Sequence, residues 1–449
     1  MPPFSRRLRQ LLLLECLGAA VAPVVAQSTS KPALSVVERA IADAVDTHNG
    51  EALALLERIV NINSGTMNFA GVRQVADVLR PQFDALGFST RWVDGASFRR
   101  AGHLIAEHRG SGPKILLIGH LDTVFEPSSP FQRFERLNDS TARGPGIIDM
   151  KGGDVILLHA LRALKDAGQL DRMNVTVVLT GDEEDAGDPQ DVTREALIAA
   201  SRGAAVALGF EDGAGDPKTA VVARRSAGSW TLRTTGTPAH SSQIFKPEVG
   251  AGAVYEASRI LNEFYTKLST EKYLTFNPGL IVGGTLMKVD TTGTEGSVSG
   301  KRNVVAEYAQ VSGDLRALSP EQITRTKRTM QLIVSKHLPK TTAEIVFDDG
   351  YPPLAPTAGN RRLLAMYDRA SRDLGFGPVV AVDPSRAGAA DVSFVAKNVP
   401  MIIDGIGLSG KDGHTVNETA DLRMLPSQTK RAALVLYRLT ESPPGRVQP

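Results

Sequence analysis

Lys114-Ile115-Leu116-Leu117-Ile118-Gly119-His120-Leu121-Asp122-Thr123-Val124 is the stretch whose reading decides the fold. Four consecutive apolar residues, Ile115 to Ile118, fit a strand buried on both faces, as in a sheet covered by helices. Gly119 lets the backbone turn where the run ends. His120 and Asp122 follow at the carboxyl end, where open α/β sheets keep their ligands. A His with a carboxylate two residues on suits a metal ligand and the group that orients it. A strand that stops at an ordinary polar turn would look the same, so the neighbouring stretches carry weight.

Two more apolar runs end alike. Val175 to Leu179 stops at Thr180-Gly181-Asp182-Glu183-Glu184-Asp185, whose acids repel one another unless a cation offsets them. Taken alone, such a charge run reads as a solvated loop. Residues 205–210 run into Glu211-Asp212. Strands that deliver a His or acids to the same kind of end form a coherent site. Arg143-Gly144-Pro145-Gly146-Ile147-Ile148-Asp149-Met150-Lys151-Gly152-Gly153 has the glycine density of a loop that approaches a ligand closely. A second Gly-rich loop, from Gly405 through His414 to Glu418, ends on a His.

Around these stretches the pattern alternates helix and strand. Residues 34–62 read as a helix striped by Leu53, Leu56 and Val60. Residues 72–86 read as another, with Pro81 inside it and Gly87 as its C-terminal cap. Residues 88–93 and 103–108 read as strands, and residues 157–167 as a helix. From 226 to about 345 the order changes to β-α-β-β-α-β: strands at 229–235, 279–289, 303–316 and 342–347, and helices at 249–268 and after Ser319-Pro320-Glu321-Gln322. That is the ferredoxin-like order. Residues 226–345 therefore read as a second domain inserted into a first, formed by residues 27–225 and 346–442. The second part holds a helix at 361–374, a small-residue turn Ala387-Gly388-Ala389-Ala390-Asp391, a short strand at 399–403 and a final helix at 425–439.

A chain of 449 residues is long for one core, and 42% hydrophobic with 22% charged residues is the balance of a globular protein. A net charge of +2 speaks against nucleic acid or a polybasic membrane contact. Arg6, Arg7 and Arg9 precede an apolar run that ends at Val24-Val25-Ala26, which predicts a signal peptide over residues 1–26, with cleavage after Ala26 and a periplasmic or secreted protein. The cysteine, Cys16, falls within it, so the remaining chain has no thiol for disulfides or metal ligands. No later segment is apolar enough to anchor the chain in a bilayer.

Together the motifs His120-Leu121-Asp122, Gly146-Ile147-Ile148-Asp149-Met150-Lys151-Gly152, Asp182-Glu183-Glu184, Glu211, and His414 with Glu418 resemble the di-zinc family of glutamate carboxypeptidases, aminoacylases, acetylornithine deacetylases and succinyl-diaminopimelate desuccinylases. The glutamate carboxypeptidase branch is the nearest likeness. The resemblance implies a zinc-peptidase-like α/β catalytic domain, with helices on both faces of a mixed sheet, and an inserted ferredoxin-like lid through which two copies form a homodimer. It implies two Zn2+ per chain, with Co2+ or Mn2+ as substitutes. Asp149 would bridge them, His120 and Glu211 would complete one site, and Glu184 and His414 the other. Asp122 would orient His120, and Glu183 would be the general base. A cis peptide is expected at Asp149-Met150.

In the lid, His240 matches a His that stabilises the oxyanion in the partner's site, Arg316 a group that grips the substrate carboxylate, and Asn303 a second substrate contact. The plainer reading of Arg316 is a strand-end salt bridge. His48, His103, His108, His159 and His337 lack such context and read as structural or exposed. The turn Gly388-Ala389-Ala390 lacks a serine that many relatives carry, so family specificity does not transfer intact. The implied activity is that of a metallo-carboxypeptidase acting on a small peptide or N-acyl amino acid with a free C-terminal carboxylate. An aminoacylase is the alternative. A catalytically silent periplasmic binding protein would need no base, and intact Asp122, Glu183 and His240 speak against it.

Overall fold

The computed structural model describes residues 34–290 and 295–441. The expected signal peptide, residues 1–26, lies outside the described residues. Among the described residues no helix is long and apolar enough to cross a membrane.

The main sheet is built from β1 (Ser89–Asp94), β2 (Gly102–His108), β3 (Lys114–His120), β4 (Asn174–Thr180), β5 (Val206–Gly209) and a short strand at Ile402–Ile403. Their order is β1-β2-β4-β3-β5, with Ile402–Ile403 on the far edge. β2 is antiparallel to β1 and β4, whereas β4, β3, β5 and the edge strand run parallel. β3 is therefore flanked by the two other strands whose ends carry acids, and all three ends point the same way. Successive side chains of β3 alternate between two cores: Ile115 and Leu117 enter one, Leu116 and Ile118 the other. That is why four apolar residues stand in a row.

Helices α1 (Val36–Thr47), α2 (Asn49–Val60), α3 (Phe69–Ala85) and α4 (Gly152–Asp166) contribute to the larger core, and α5 (Gln190–Ser201) to the smaller one. The helix expected over 34–62 is thus two, broken at His48. Asn49-Gly50 favours a turn there, and the His48 ring is held by Glu51 at 3.2 Å and Asp166 at 2.8 Å. Pro81 does not end α3, which runs to Ala85; Gly87, at φ +93°, follows as the left-handed cap.

A second sheet comprises β6 (Ala227–Gly236), β7 (Thr275–Gly284), β8 (Tyr308–Arg316) and β9 (Thr341–Tyr351), in the order β7-β8-β6-β9 and antiparallel throughout. α6 (Ala253–Leu268) and α7 (Pro320–Val334) complete a core of Trp230, Leu232, Ile260, Phe264, Val311 and Met330. Ser319 caps α7 by accepting from the Gln322 amide. Two features depart from the sequence reading. The strand expected over 279–289 breaks at Thr285 into β7 and a ribbon of Leu286–Val289 with Gly296–Ser299. Residues 303–307 lie outside β8 and instead pair with the His240 turn, where Ser241 N donates to Asn303 O and Val305 N to Ala239 O, each at 2.9 Å. The chain enters and leaves this sheet side by side: Arg224 and Leu354 exchange two main-chain hydrogen bonds of 2.9 Å. α8 (Ala358–Asp373) and α9 (Met424–Glu441) then return to the larger core.

Candidate metal centre

Three parallel strand ends and two loops meet at the carboxyl edge of the main sheet. β3 delivers His120, the turn after β4 delivers Glu183 and Glu184, and the residue pair after β5 delivers Glu211. The loop before α4 brings Asp149, and the Gly-rich loop brings His414 at φ +63°. The peptide Asp149-Met150 is cis.

Asp149 divides its two oxygens between two histidines. Its Oδ1 lies 3.1 Å from His120 Nε2, which also faces Glu211 Oε1 at 3.5 Å. Its Oδ2 lies 2.8 Å from His414 Nε2, which also faces Glu184 Oε2 at 3.2 Å. The Glu183 carboxylate comes within 4.8 Å of the ligand atoms of His120 and Glu211. His120 Nδ1–H donates to the Asp122 carbonyl at 3.0 Å, which turns the Nε2 lone pair inward. The Asp122 carboxylate sits 3.4 Å from that ring nitrogen and accepts from the Glu183 and Glu184 amides, each at 3.1 Å, and from Thr66 Oγ1 at 2.6 Å. Asp122 thus ties the His strand to the acidic turn.

The residues fit divalent cations. Burial, and then the charge of Asp149, push the Glu211 carboxyl up to about 8. Burial, and then Glu211, raise Glu183 well above the usual carboxylate range; burial and Asp149 raise Glu184. Burial opposes ionisation of Asp149 too, but His120 and His414 hold it far below its usual value. Hydrogen bonds to Asp149 and Glu184 raise His414 to about 11. Such crowding of like charges is what a cation relieves. Glu184 Oε1 is buried without a hydrogen-bond partner, as an unfilled ligand atom would be. The donors are imidazole nitrogens and carboxylate oxygens, the set zinc takes where thiolates are lacking.

The frame around the cage is main-chain chemistry. Glu418 accepts from the amides of Ile148 at 2.9 Å, Gly146 at 3.1 Å and Asp149 at 3.3 Å, and so shapes the loop that presents Asp149. Fully buried Lys151 donates to Ile62 O at 2.9 Å; burial lowers it to about 7. Gly153 and Gly407 both pack against Phe210 O, where a Cβ on either would stand 2.0 Å away.

The other candidates lie apart from the cage. His240 is exposed, with Nδ1 at 2.8 Å from Ser242 Oγ, and it neighbours Asn303 through the strand-like bridge already described. Arg316 Nε pairs with Asp314 at 3.1 Å, and both side chains are part-exposed, which leaves the guanidinium open to solvent. Of the remaining histidines, buried His103 donates from Nε2 to Thr193 O at 2.8 Å and accepts from Gly181 N at 3.2 Å, so it is structural.

Sequence reasoning missed a buried ion network beneath the acidic turn. Arg194 Nη1 donates to Asp182 Oδ1 at 2.6 Å, its Nε lies 2.9 Å from Asp391 Oδ1, and its Nη2 donates to Tyr351 Oη at 2.6 Å. One signal was present: Arg194 stands three residues before Leu197, on the buried face of α5.

The model of Peptidase family M20/M25/M40 matches residues 116–442. Carboxypeptidase G2 of Pseudomonas sp. (strain RS-16) is 27% identical over 394 residues, covering 86% of this chain and 88% of that protein. The solved structure of aminopeptidase PepT from Bacillus cereus ATCC 10987 superposes with a TM-score of 0.68 at 18% identity, covering 87% of this chain and 98% of that one. The YXEP protein of Bacillus subtilis, described as a dinuclear metal binding peptidase from the M20 family, superposes at 0.58 with 14% identity, covering 88% and 99%. Since the family match takes in β3, the acidic turn, Glu211 and the His414 loop, this chain belongs to Peptidase family M20/M25/M40 and is a hydrolytic enzyme.

Proposed function

We propose that this enzyme cleaves the amide bond of a small peptide or N-acyl amino acid with a free C-terminal carboxylate, in the manner of a carboxypeptidase, with two divalent cations bound. The observation that carries the reading is the division of the Asp149 carboxylate between the His120–Glu211 pair and the His414–Glu184 pair. His120, Asp149 and Glu211 would hold one cation, and His414, Asp149 and Glu184 the other; zinc is the proposed metal, with cobalt or manganese as substitutes. Cations so held polarise a carbonyl and lower the pKa of water toward neutrality.

The chain's own part is proton handling and orientation. Glu183 forms no ion pair among the described residues and sits beside His120 and Glu211, so its carboxylate can take a proton from the attacking water and return it to the leaving nitrogen. Asp122 fixes the main chain of Glu183 and Glu184 through their amides and keeps both carboxylates aimed inward. Arg316 is assigned to the substrate carboxylate, with Asn303 as a second contact and His240 as the oxyanion donor to a partner subunit's site. Export to the periplasm or beyond belongs to the same reading; sequencing the mature N-terminus, expected at Gln27, tests it.

Glu183→Gln keeps a ligand-sized amide but removes the base. It should retain wild-type metal content by elemental analysis and lose turnover by about a thousandfold, within the usual worth of a general base plus its alignment. Retained turnover refutes the role. A substrate panel of C-terminal glutamyl peptides against N-acetyl amino acids separates the carboxypeptidase from the aminoacylase reading.

A further inference from the structure

Tyr351 is the last residue of β9 and pairs with Ala227, the first of β6, so it marks the point where the second sheet hands the chain back to the first core. Its hydroxyl does not serve the second sheet. It donates to the main-chain carbonyl of Glu183 at 2.8 Å and accepts from Arg194 Nη2 at 2.6 Å. Arg194, with no exposed side-chain surface, donates again to the carbonyl of Asp182 at 3.0 Å and to its Oδ1 at 2.6 Å. The Asp182 Oδ2 accepts from Gly187 N at 2.7 Å and Thr193 Oγ1 at 2.6 Å, which closes the turn. Asp391 anchors the far side, 2.9 Å from Arg194 Nε and accepting from Thr180 Oγ1 at 2.6 Å at the end of β4. The Tyr351 ring packs edge-on against Phe394 with centroids 4.9 Å apart.

Both carbonyls of Asp182 and Glu183 are therefore held from beneath, by a residue of α5 and by a residue of the second sheet. The amides of Glu183 and Glu184 are held from above by Asp122. Remove the Tyr351 hydroxyl and the Glu183 peptide keeps only its amide tether. We propose that Tyr351 and Arg194 form a strut that transmits the seating of β9 to the Glu183 turn, so that both are positioning residues for the base. This rests on the reading of Glu183 as the base. The strut gives the second sheet a direct line to the reacting groups: displacement of β9 at its exit pulls on the peptide that carries Glu183, 168 residues away in sequence.

Tyr351→Phe deletes one hydroxyl and leaves the ring contacts to Phe394 and Arg194 in place. Two readouts follow. Amide hydrogen exchange in the segment 181–188 of the full-length protein should quicken about fivefold, the worth of one ordinary hydrogen bond, while β4, α5 and β9 stay unchanged. On the most active substrate of the panel, kcat should fall by about fivefold to tenfold with KM and bound metal unchanged. Phe394→Leu is the control for packing: it should lower the unfolding midpoint yet leave exchange in 181–188 at the wild-type rate. Unchanged exchange in Tyr351→Phe, or equal quickening in both variants, overturns the strut. If Glu183→Gln stays active, the base reading falls, but the exchange comparison still decides whether the strut exists.

Discussion

Gly153→Ala is a one-carbon change that should disable the enzyme without touching a metal-facing side chain. Gly153 lies in the first turn of α4, and a Cβ there would stand 2.0 Å from Phe210 O and 3.0 Å from Phe210 C. Relief to the 3.4 Å at which contact becomes ordinary requires a shift of about 1.4 Å, and the atom in the way is main chain, which cannot rotate aside. α4 has no room to retreat, because Leu408 fills the space beside Gly152, where a Cβ would stand 2.6 Å from it, and Val155, Ile156 and Leu157 are fully buried. The Phe210-Glu211 peptide must yield, and Glu211 moves with it. Glu211 now faces His120 at 3.5 Å, so a displacement of that size opens the His120–Glu211 side of the cage. Overpacking of this kind costs about 1–3 kcal/mol of stability, and an ångström of misplacement in a reacting constellation costs about a hundredfold in rate. The expected outcome is a folded protein with roughly 1% of wild-type kcat/KM and reduced metal content, read by a hydrolysis assay, elemental analysis and urea unfolding. Gly50→Ala is the companion control: nothing lies within 4 Å of its Cβ position in α2, and it should leave activity intact while gaining up to about 1 kcal/mol in stability. Wild-type activity and metal in Gly153→Ala would refute the claim that packing at Phe210 sets the place of Glu211.

Two other outcomes are expected. Burial and the neighbouring Arg162 hold His159 from 6.5 down to about 4, so the folded protein resists a proton that the unfolded chain accepts. Stability should therefore decline as pH falls from about 6.5 toward 4, by at most about 3 kcal/mol from this group, and His159→Leu should flatten that part of the urea-midpoint profile; an unchanged slope counts against it. Val254, Ile281, Leu286 and Val298 are exposed on and beside β7, an edge strand of the second sheet, and Val254 packs close to Gly283. The wild type should sediment as a dimer and Ile281→Asp as a monomer; a monomeric wild type removes the dimer from the account.

The parts of the site legible in the sequence were those that local pattern controls. Ile115–Ile118 had to be a doubly covered strand, and once β4 and β5 showed the same ending, the convergence of His120, Glu184 and Glu211 followed from parallel pairing alone. Asp149 and His414 sit on loops, where periodicity says nothing; glycine density marked the loops, and the family motifs gave the two residues their roles. Local pattern failed where a distant partner overrides it. Asn303-Val304-Val305 has β-branched residues fit for β8, yet its carbonyls and amides are taken by the His240 turn more than 60 residues earlier. Asp122 faces His120 Nδ1 at 3.4 Å, as its place two residues on suggests, but its oxygens also accept from the amides of a turn 61 and 62 residues downstream, which local pattern does not reach. Tyr351 carried no signal at all, since a Tyr at a strand end next to two prolines has an ordinary packing explanation.

Charge explains why such a cage is built where it is. Among the described residues the ion pairs of Asp149, Glu184 and Glu211 are made with His120 and His414, and Glu183 makes none. A histidine that ligates a metal is neutral, so with the imidazoles committed to metal the carboxylates would lose the charge of those ion pairs. Two divalent cations supply equal and opposite charge, whereas one would leave the buried cluster with an excess that burial penalises severely. The arginines of this region make their ion pairs elsewhere: Arg194 with Asp182 and Asp391, and Arg224 with Asp404 at 2.7 Å. Each neutralises an acid that lies behind the cage rather than in it. The fold thus separates two kinds of acid at the same sheet edge, those paired with arginine, which hold the turns rigid, and those facing His120 and His414, which the proposed function assigns to the metals.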